Sequence, residues 1–116
     1  MLARILGSNI GRETVLGLAA SAVGVAASVT FPAQGGTKLE ITKVIWSYSG
    51  DPAAGNLSMT GPVVAPDVDI TKGGPGALSG FGAIIAPTNV GITVTLASGG
   101  GGVTGKLYVE AVRRPS

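Results

Sequence analysis

The glycine-rich run from Gly100 to Lys106 has the spacing of a phosphate-binding loop, in which backbone N–H groups hold the phosphates and a lysine meets their charge. Leu107 stands where a serine or threonine would hold Mg²⁺. The residues after it alternate as in a strand, instead of opening a helix whose N-terminus would face the anion. The sequence therefore predicts a flexible hairpin loop here and no nucleotide site.

Asp67 and Asp69 lie two residues apart, which places both carboxylates on one face of a strand. Such a pair could contribute to a Ca²⁺ site, but Ca²⁺ usually takes about six to eight oxygen ligands. Asp51 is the only other acidic residue in this central stretch. We therefore interpret the pair as a solvated strand face.

Trp46 and Tyr48 are also two residues apart, so their rings project from one side of a strand. There they could form an aromatic platform for a sugar or a partner protein. The chain has only one Trp, two Tyr and two Phe, and a buried Trp46 filling the middle of a small sandwich is the interpretation that we favour. Both residues remain interface candidates at this point.

The composition excludes most catalytic chemistry. The chain of 116 residues contains neither Cys nor His. It therefore has no disulfide, thiolate nucleophile or cysteine-based zinc site, and it lacks the commonest general base at neutral pH. Its formal net charge is only +2, with no clustered basic patch. We expect a protein that is not an enzyme, holds no cofactor or metal and binds no nucleic acid.

The elements that position these residues are predicted to be strands. Twenty glycines and seven prolines argue against long helices, whereas the alternation of apolar and polar residues indicates strands. Seven such runs, spaced roughly 8 to 12 residues apart, predict an all-β fold. The expected architecture is an antiparallel β-sandwich, of which the jelly roll is one form. The predicted strands cover residues 23–31, 38–49, 57–60, 67–71, 78–86, 90–97 and 103–111.

Two of these predictions concern how strands pair. Within residues 38–49 the apolar residues change from odd-numbered to even-numbered positions, which predicts a β-bulge or burial of both faces. The last two runs, 90–97 and 103–111, alternate clearly and are joined by a short glycine loop. We predict that they pair as an antiparallel hairpin.

Three parts are expected along the chain: an N-terminal arm or first strand at 1–22, the β-sandwich at 23–112 and a short basic tail at 113–116. Residues 14–37 carry no charge, but Glu13 adjoins this run, and its apolar part is rich in small residues. We therefore favour an extended arm leading into a strand over a secretory signal or a membrane span. An extended arm cannot bury its own apolar side chains and needs a neighbour. The interface candidates in the arm are Leu2, Ile5, Leu6, Ile10 and Arg12.

Several short segments, taken in order, resemble a family of small virion proteins of tailed bacteriophages. The segments are residues 45–49, Pro52, 55–57, 69–71, 73–76, Asn89, 92–97 and 102–107. They lie between residues 38 and 112, about two thirds of the chain, and consist of strand and turn residues without a catalytic signature. Residues 1–22 do not match this pattern.

The resemblance implies a β-sandwich on the outer surface of the phage head, where it acts as a decoration or cement protein. Its implied partners are the major capsid protein and copies of itself, with a trimer favoured. We therefore expect a structural virion protein that binds no membrane. The alternatives are another virion part, such as a tail, baseplate or fibre element, and a carbohydrate-binding surface module that uses Trp46 and Tyr48.

Overall fold

The computed structural model describes residues 13–116, and these form eight β-strands and no helix. The strands are β1 (Thr14–Val23), β2 (Ala27–Phe31), β3 (Thr37–Tyr48), β4 (Gly55–Thr60), β5 (Asp67–Ile70), β6 (Gly74–Ser79), β7 (Ile92–Leu96) and β8 (Thr104–Pro115). They make two antiparallel four-stranded sheets, the first in the order β1-β8-β3-β6 and the second in the order β2-β7-β4-β5. The predicted all-β sandwich is confirmed.

The strand order is that of a jelly roll. Successive strands cross from one sheet to the other, except for the β4–β5 hairpin within the second sheet. Eight strands connected in this way form two interlocked Greek keys. The inner faces of the two sheets pack into one core, whose largest fully buried side chains are Phe31, Leu39, Ile41, Val44, Leu57, Ile92, Val94, Leu96 and Val109.

The predicted C-terminal hairpin is wrong. β7 lies between β2 and β4 in the second sheet, whereas β8 lies between β1 and β3 in the first. Both strands do alternate, with Ile92, Val94 and Leu96 of β7 buried. Alternation identifies the residues that face the core but does not identify the neighbouring strand. The glycine loop between β7 and β8 therefore crosses from one sheet to the other.

In β3 the apolar residues change from odd-numbered to even-numbered positions because the strand contains a β-bulge, as predicted. The register of β3 against β8 shifts between Ile41 and Lys43. The extra residue, Thr42, donates its hydroxyl hydrogen to the carbonyl oxygen of Glu110 at 3.1 Å. Because the bulge offsets the two halves of the strand, Ile41 and Val44 both point into the core.

The strand predicted at 78–86 is misplaced. β6 ends before this run does, and the chain leaves the sheet at residues 80–83. It then returns beside β3, where the carbonyl oxygen of Ile84 accepts a hydrogen bond from the N–H of Ile41 at 2.9 Å. At the point of departure Gly80 passes so close to the carbonyl oxygen of Ile41 that a Cβ would not fit. A continuous strand is therefore interrupted opposite the bulge.

The strand predicted at 23–31 is divided between the two sheets. β1 ends at Val23 in the first sheet, and β2 begins at Ala27 in the second. Gly24, with a φ of 69°, turns the chain between them. The described part of the predicted arm, from Thr14 onward, is therefore an edge strand of the first sheet.

Arg113 and Arg114 belong to β8, so the predicted basic tail is wrong. Arg113 donates to the carbonyl oxygen of Pro32 at 2.9 Å. Arg114 contacts the carboxylates of Glu13 and Glu40 at 3.0 and 2.7 Å. Glu40 is a buried carboxylate, and the guanidinium supplies the opposite charge that such a group requires. These contacts tie the end of β8 to β3, to the residue before β1 and to the residue after β2.

Replacing Gly80 with alanine should destabilise the fold, because the new Cβ would collide with the carbonyl oxygen of Ile41. We expect Gly80→Ala to lower the free energy of unfolding by about 1–3 kcal/mol, the usual cost of overpacking. Urea unfolding followed by Trp46 fluorescence measures this change. The matched control is Gly35→Ala, whose added Cβ meets no atom within 4 Å. Equal stability of the two variants would contradict the close passage at Gly80.

Candidate functional site

The outer face of the second sheet is polar. Because Val29, Val94 and Leu57 point into the core, the alternate residues of β2, β7 and β4 point outward. These outward residues form two cross-strand rows of hydroxyls, Ser28, Thr95 and Ser58, and Thr30, Thr93 and Thr60. The hydroxyls of Thr30 and Thr93 lie 3.1 Å apart. This face is suited to contact with water.

The outer face of the first sheet carries Lys43, Lys106 and Glu110, but its outward positions in β1 and one row across the strands are uncharged. We call this uncharged part the apolar face. In β1 the outward residues are Val15, Gly17, Ala19, Ser21 and Val23. The residues between them pair with the residues of β8 that point into the core. The two valines are 71% and 60% exposed. Ala19, Tyr108 of β8 and Ile45 of β3 form one row across the strands. Where exposed apolar residues form a contiguous patch, they mark sites of contact with other proteins.

An open depression of about 390 Å³ lies at the centre of the apolar face. Its lining includes two cross-strand rows, Ala19, Tyr108 and Ile45, and Ser21, Lys106 and Ser47. Lys106 is the only charged residue in this lining. The depression is therefore suited to apolar side chains of a partner, with one cation at its margin.

Tyr108 spans two strands of the apolar face. Its hydroxyl donates to Glu110 Oε2 at 2.9 Å, and its ring lies beside Gly17 of β1. A Cβ at Gly17 would stand 2.8 Å from the tyrosine hydroxyl oxygen, so the absence of a side chain there makes room for the phenol. The hydrogen bond to Glu110 raises the pKa of Tyr108, and burial and the negative charge of Glu110 add to the effect.

Trp46 and Tyr48 project to the same side of β3, but that side faces the core. Tyr48 is 3% exposed, and its hydroxyl donates to the carbonyl oxygen of Ala97 at 2.6 Å. Burial raises the pKa of Tyr48. Trp46 is half-buried against the core and covers Gly76 of β6, where a Cβ would lie 2.5 Å from the indole. Tyr48 is therefore a core residue rather than an interface residue, and the two rings form no platform on the outside of the sandwich.

The other predicted interface residues lie at the N-terminus. Leu2, Ile5, Leu6, Ile10 and Arg12 are outside the described residues, and their role in contacts stays a prediction.

The two motifs that resembled chemical sites are structural in this fold. The side-chain amide of Asn56 donates to Asp67 Oδ1 at 2.5 Å and to Asp69 Oδ1 at 3.1 Å, so an amide joins the two carboxylates. Lys106 lies within β8, and the residues that follow it continue the strand. Within residues 13–116, no three Asp or Glu residues gather as they would around a metal ion.

The same range contains no helix of the length and apolarity needed to cross a membrane.

Sequence reasoning missed two features of the surface. The apolar face was one, although the uncharged odd-numbered positions of β1 were a visible signal for it. The other is Phe81, which lies in the loop at 80–83, is 92% exposed and has a φ of 51°. Bulky residues rarely adopt this backbone conformation. The glycines on either side of Phe81 could have indicated a turn.

Comparisons with known proteins find similar folds and no family. No family model matches the chain, and no curated protein matches it. Among solved structures, the Drosophila NLP core, described in terms of pentamer formation and histone binding, has 16% identity and a TM-score of 0.48, with 85% of this chain and 96% of that chain covered. The CBM36-1 domain of a xylanase from the hindgut metagenome of Trinervitermes trinervoides has 10% identity and a TM-score of 0.44, with coverages of 87% and 96%.

A third similar structure is the virus-like particle of the extra small virus of the prawn Macrobrachium rosenbergii. It has 7% identity and a TM-score of 0.37, with 99% of this chain and 87% of that chain covered. Likeness at these levels concerns the fold, and no function follows from it.

Removing the negative charge of Glu110 should lower the pKa of Tyr108 towards its ordinary value of 10.0. The neutral phenol is the hydrogen-bond donor, so this interaction is present below pH 10 and is lost as the pH rises through the raised pKa of Tyr108. Absorbance titration of Glu110→Gln in a Tyr48→Phe background, where Tyr108 is the one remaining tyrosine, measures the change. The matched reference is Tyr48→Phe alone. An unchanged pKa would show that the negative charge of Glu110 does not act on Tyr108.

Proposed function

We propose that this protein is a structural component of a bacteriophage particle. In this role it decorates or cements the outer surface of the head, and it binds the major capsid protein and other copies of itself. A trimer is the form that we expect. The sequence resemblance to small virion proteins supports this role, and the jelly-roll strand order is compatible with it.

The observation that carries the proposal is the apolar face. A monomer in water is expected to cover its outer strand positions with polar side chains, as the hydroxyl rows of the second sheet do. On the apolar face, Val15 and Val23 instead stand exposed towards the two ends of β1, and the row of Ala19, Tyr108 and Ile45 lies between them. Burying such side chains against another protein gains hydrophobic free energy without any requirement for catalytic groups.

The contrast between the faces also suggests an orientation on the particle. The apolar face would meet the shell or a neighbouring subunit, and the hydroxyl rows would face the solvent. Many copies on one lattice strengthen individually weak contacts through multivalency. A protein that works in this way needs a rigid fold and a matching surface.

The proposal predicts that a charge on the apolar face blocks binding to the particle. We expect Ile45→Lys to weaken binding to heads of the parent phage that lack this protein by at least about tenfold, because a lysine would be buried without a partner. Co-sedimentation of purified protein with such heads measures this effect.

The matched control is Thr60→Lys, which places the same charge on the exposed hydroxyl face of the second sheet. This variant should bind as the unmodified protein does. Equal loss in both variants, or an unmodified protein that ignores the heads altogether, would contradict the proposal.

A further inference from the structure

The free edge of β1 is unusual among the edges of the two sheets. β1 is ten residues long, contains neither charge nor proline, and pairs only with β8 within the described part of the chain. The other three edge strands carry features that discourage pairing. β2 has only five residues, β5 has four and carries two aspartates, and β6 contains Pro75. Soluble proteins normally protect long apolar edges in such ways, so an unprotected edge indicates a strand partner.

The hydrogen-bonding groups on this edge can be assigned to particular residues. The N–H of Gly24 donates to the carbonyl oxygen of Val103 at 3.1 Å, which continues the β1–β8 ladder by one position. Because ladder bonds alternate along an antiparallel strand, the even-numbered residues of β1 bond to β8. The N–H and C=O groups of the odd-numbered residues, from Val15 to Val23, therefore point away from the sheet.

We propose that this edge pairs with the same edge of a second copy of the chain, antiparallel and around a two-fold axis at Ala19. This deepens the proposed function, because it names one surface through which the protein binds itself. A two-fold contact joins two copies, so it is separate from the contacts that would form the expected trimer. The pairing would join the first sheets of two copies into one continuous sheet. It would also satisfy the free backbone groups of both edges.

The spacing of side chains on β1 favours a second copy over an unrelated strand. A two-fold axis at Ala19 places Val15 opposite Val23 of the second copy, and Val23 opposite Val15 of the second copy. These are the two strongly exposed valines of the strand, at 71% and 60%. Between them on the same face lie only Gly17, Ala19 and Ser21, whose small side chains do not obstruct the approach.

The opposite side of β1 is complementary under the same symmetry. Leu16 would face Ala22 of the second copy, and Leu18 would face Ala20 of the second copy. Each large side chain thus meets a small one. Leu18 is in register with buried Val109, yet it remains 40% exposed in the single chain. A second copy would cover it.

The size of this contact predicts a reversible dimer. A ten-residue strand spans about 33 Å, and one added strand pair buries less than the roughly 1,600 Å² of a standard interface. No charge repulsion opposes the pairing, since both edges are uncharged. The dimer should therefore form at high protein concentration and be strengthened where many copies gather on one surface.

Single-cysteine variants test the position of the axis, because the chain contains no cysteine of its own. Directly opposed Cα atoms in an antiparallel pair lie about 4.5–5.5 Å apart, within reach of a disulfide. Under mild oxidation we expect Ala19→Cys to form a covalent dimer at least about tenfold faster than Ala54→Cys, a matched control in an exposed loop. A mixture of Val15→Cys and Val23→Cys should crosslink the two variants to each other faster than either variant to itself.

A second measurement does not depend on oxidation. Ala19→Lys brings two like charges together at the axis, so sedimentation velocity should show loss of the concentration-dependent dimer, whereas Ala54→Lys should keep it. Equal crosslinking of Ala19→Cys and Ala54→Cys, or a dimer that survives Ala19→Lys, would overturn the proposal. So would amides of the odd-numbered β1 residues, from Val15 to Val23, that stay protected from hydrogen exchange in the dilute monomer, since residues 1–12 of the same chain or another strand would then cover the edge.

These outcomes separate the edge from the proposed function. A protein that binds phage heads but does not pair through Ala19 would refute the edge pairing and leave the decoration role standing. A protein that pairs through Ala19 but does not bind the heads would refute the decoration role and leave the edge pairing standing.

Discussion

The pairing of β3 with β8 supports the rest of the structure. Both strands are twelve residues long and occupy the centre of the first sheet. Their inward side chains, including Ile41, Val44 and Val109, form the surface on which the second sheet packs. Within residues 13–116, β1 pairs only with β8, and β6 pairs only with β3. The apolar face and the free edge of β1 therefore exist only because β3 and β8 hold their register.

The two outer faces of the sandwich differ in polarity. Hydroxyl rows on the second sheet can exchange hydrogen bonds with water, whereas the exposed valines and Ile45 on the first sheet cannot. The row of Ile45, Tyr108 and Ala19 runs across the first sheet to the open edge at β1. Under the proposed role, a neighbour would cover the first sheet and leave the second in solvent. The same asymmetry would place the edge contact beside the shell contact, so the two could reinforce each other.

The sequence allowed the strands to be predicted better than their partners. The bulge in β3 was visible because it moves apolar residues from odd to even positions within one strand. The hairpin of β7 with β8 could not be excluded in this way, since both strands alternate whichever neighbour they have. The apolar face was harder to predict from the sequence than the strand partners. The uncharged run of β1 was visible, but its exposure depends on the position of β8 and on how far the short strand β2 extends opposite it.

By itself, the sequence determined the fold class and the residues of most strands that face the core, because side chains alternate with a period of two along any extended chain. The tertiary structure alone decided which strands are neighbours and which residues the outer faces present. It also decided that Arg114 meets Glu13, that Tyr48 is buried and that β1 has a free edge. These features arise from contacts between residues far apart in the chain, and such contacts have no local pattern.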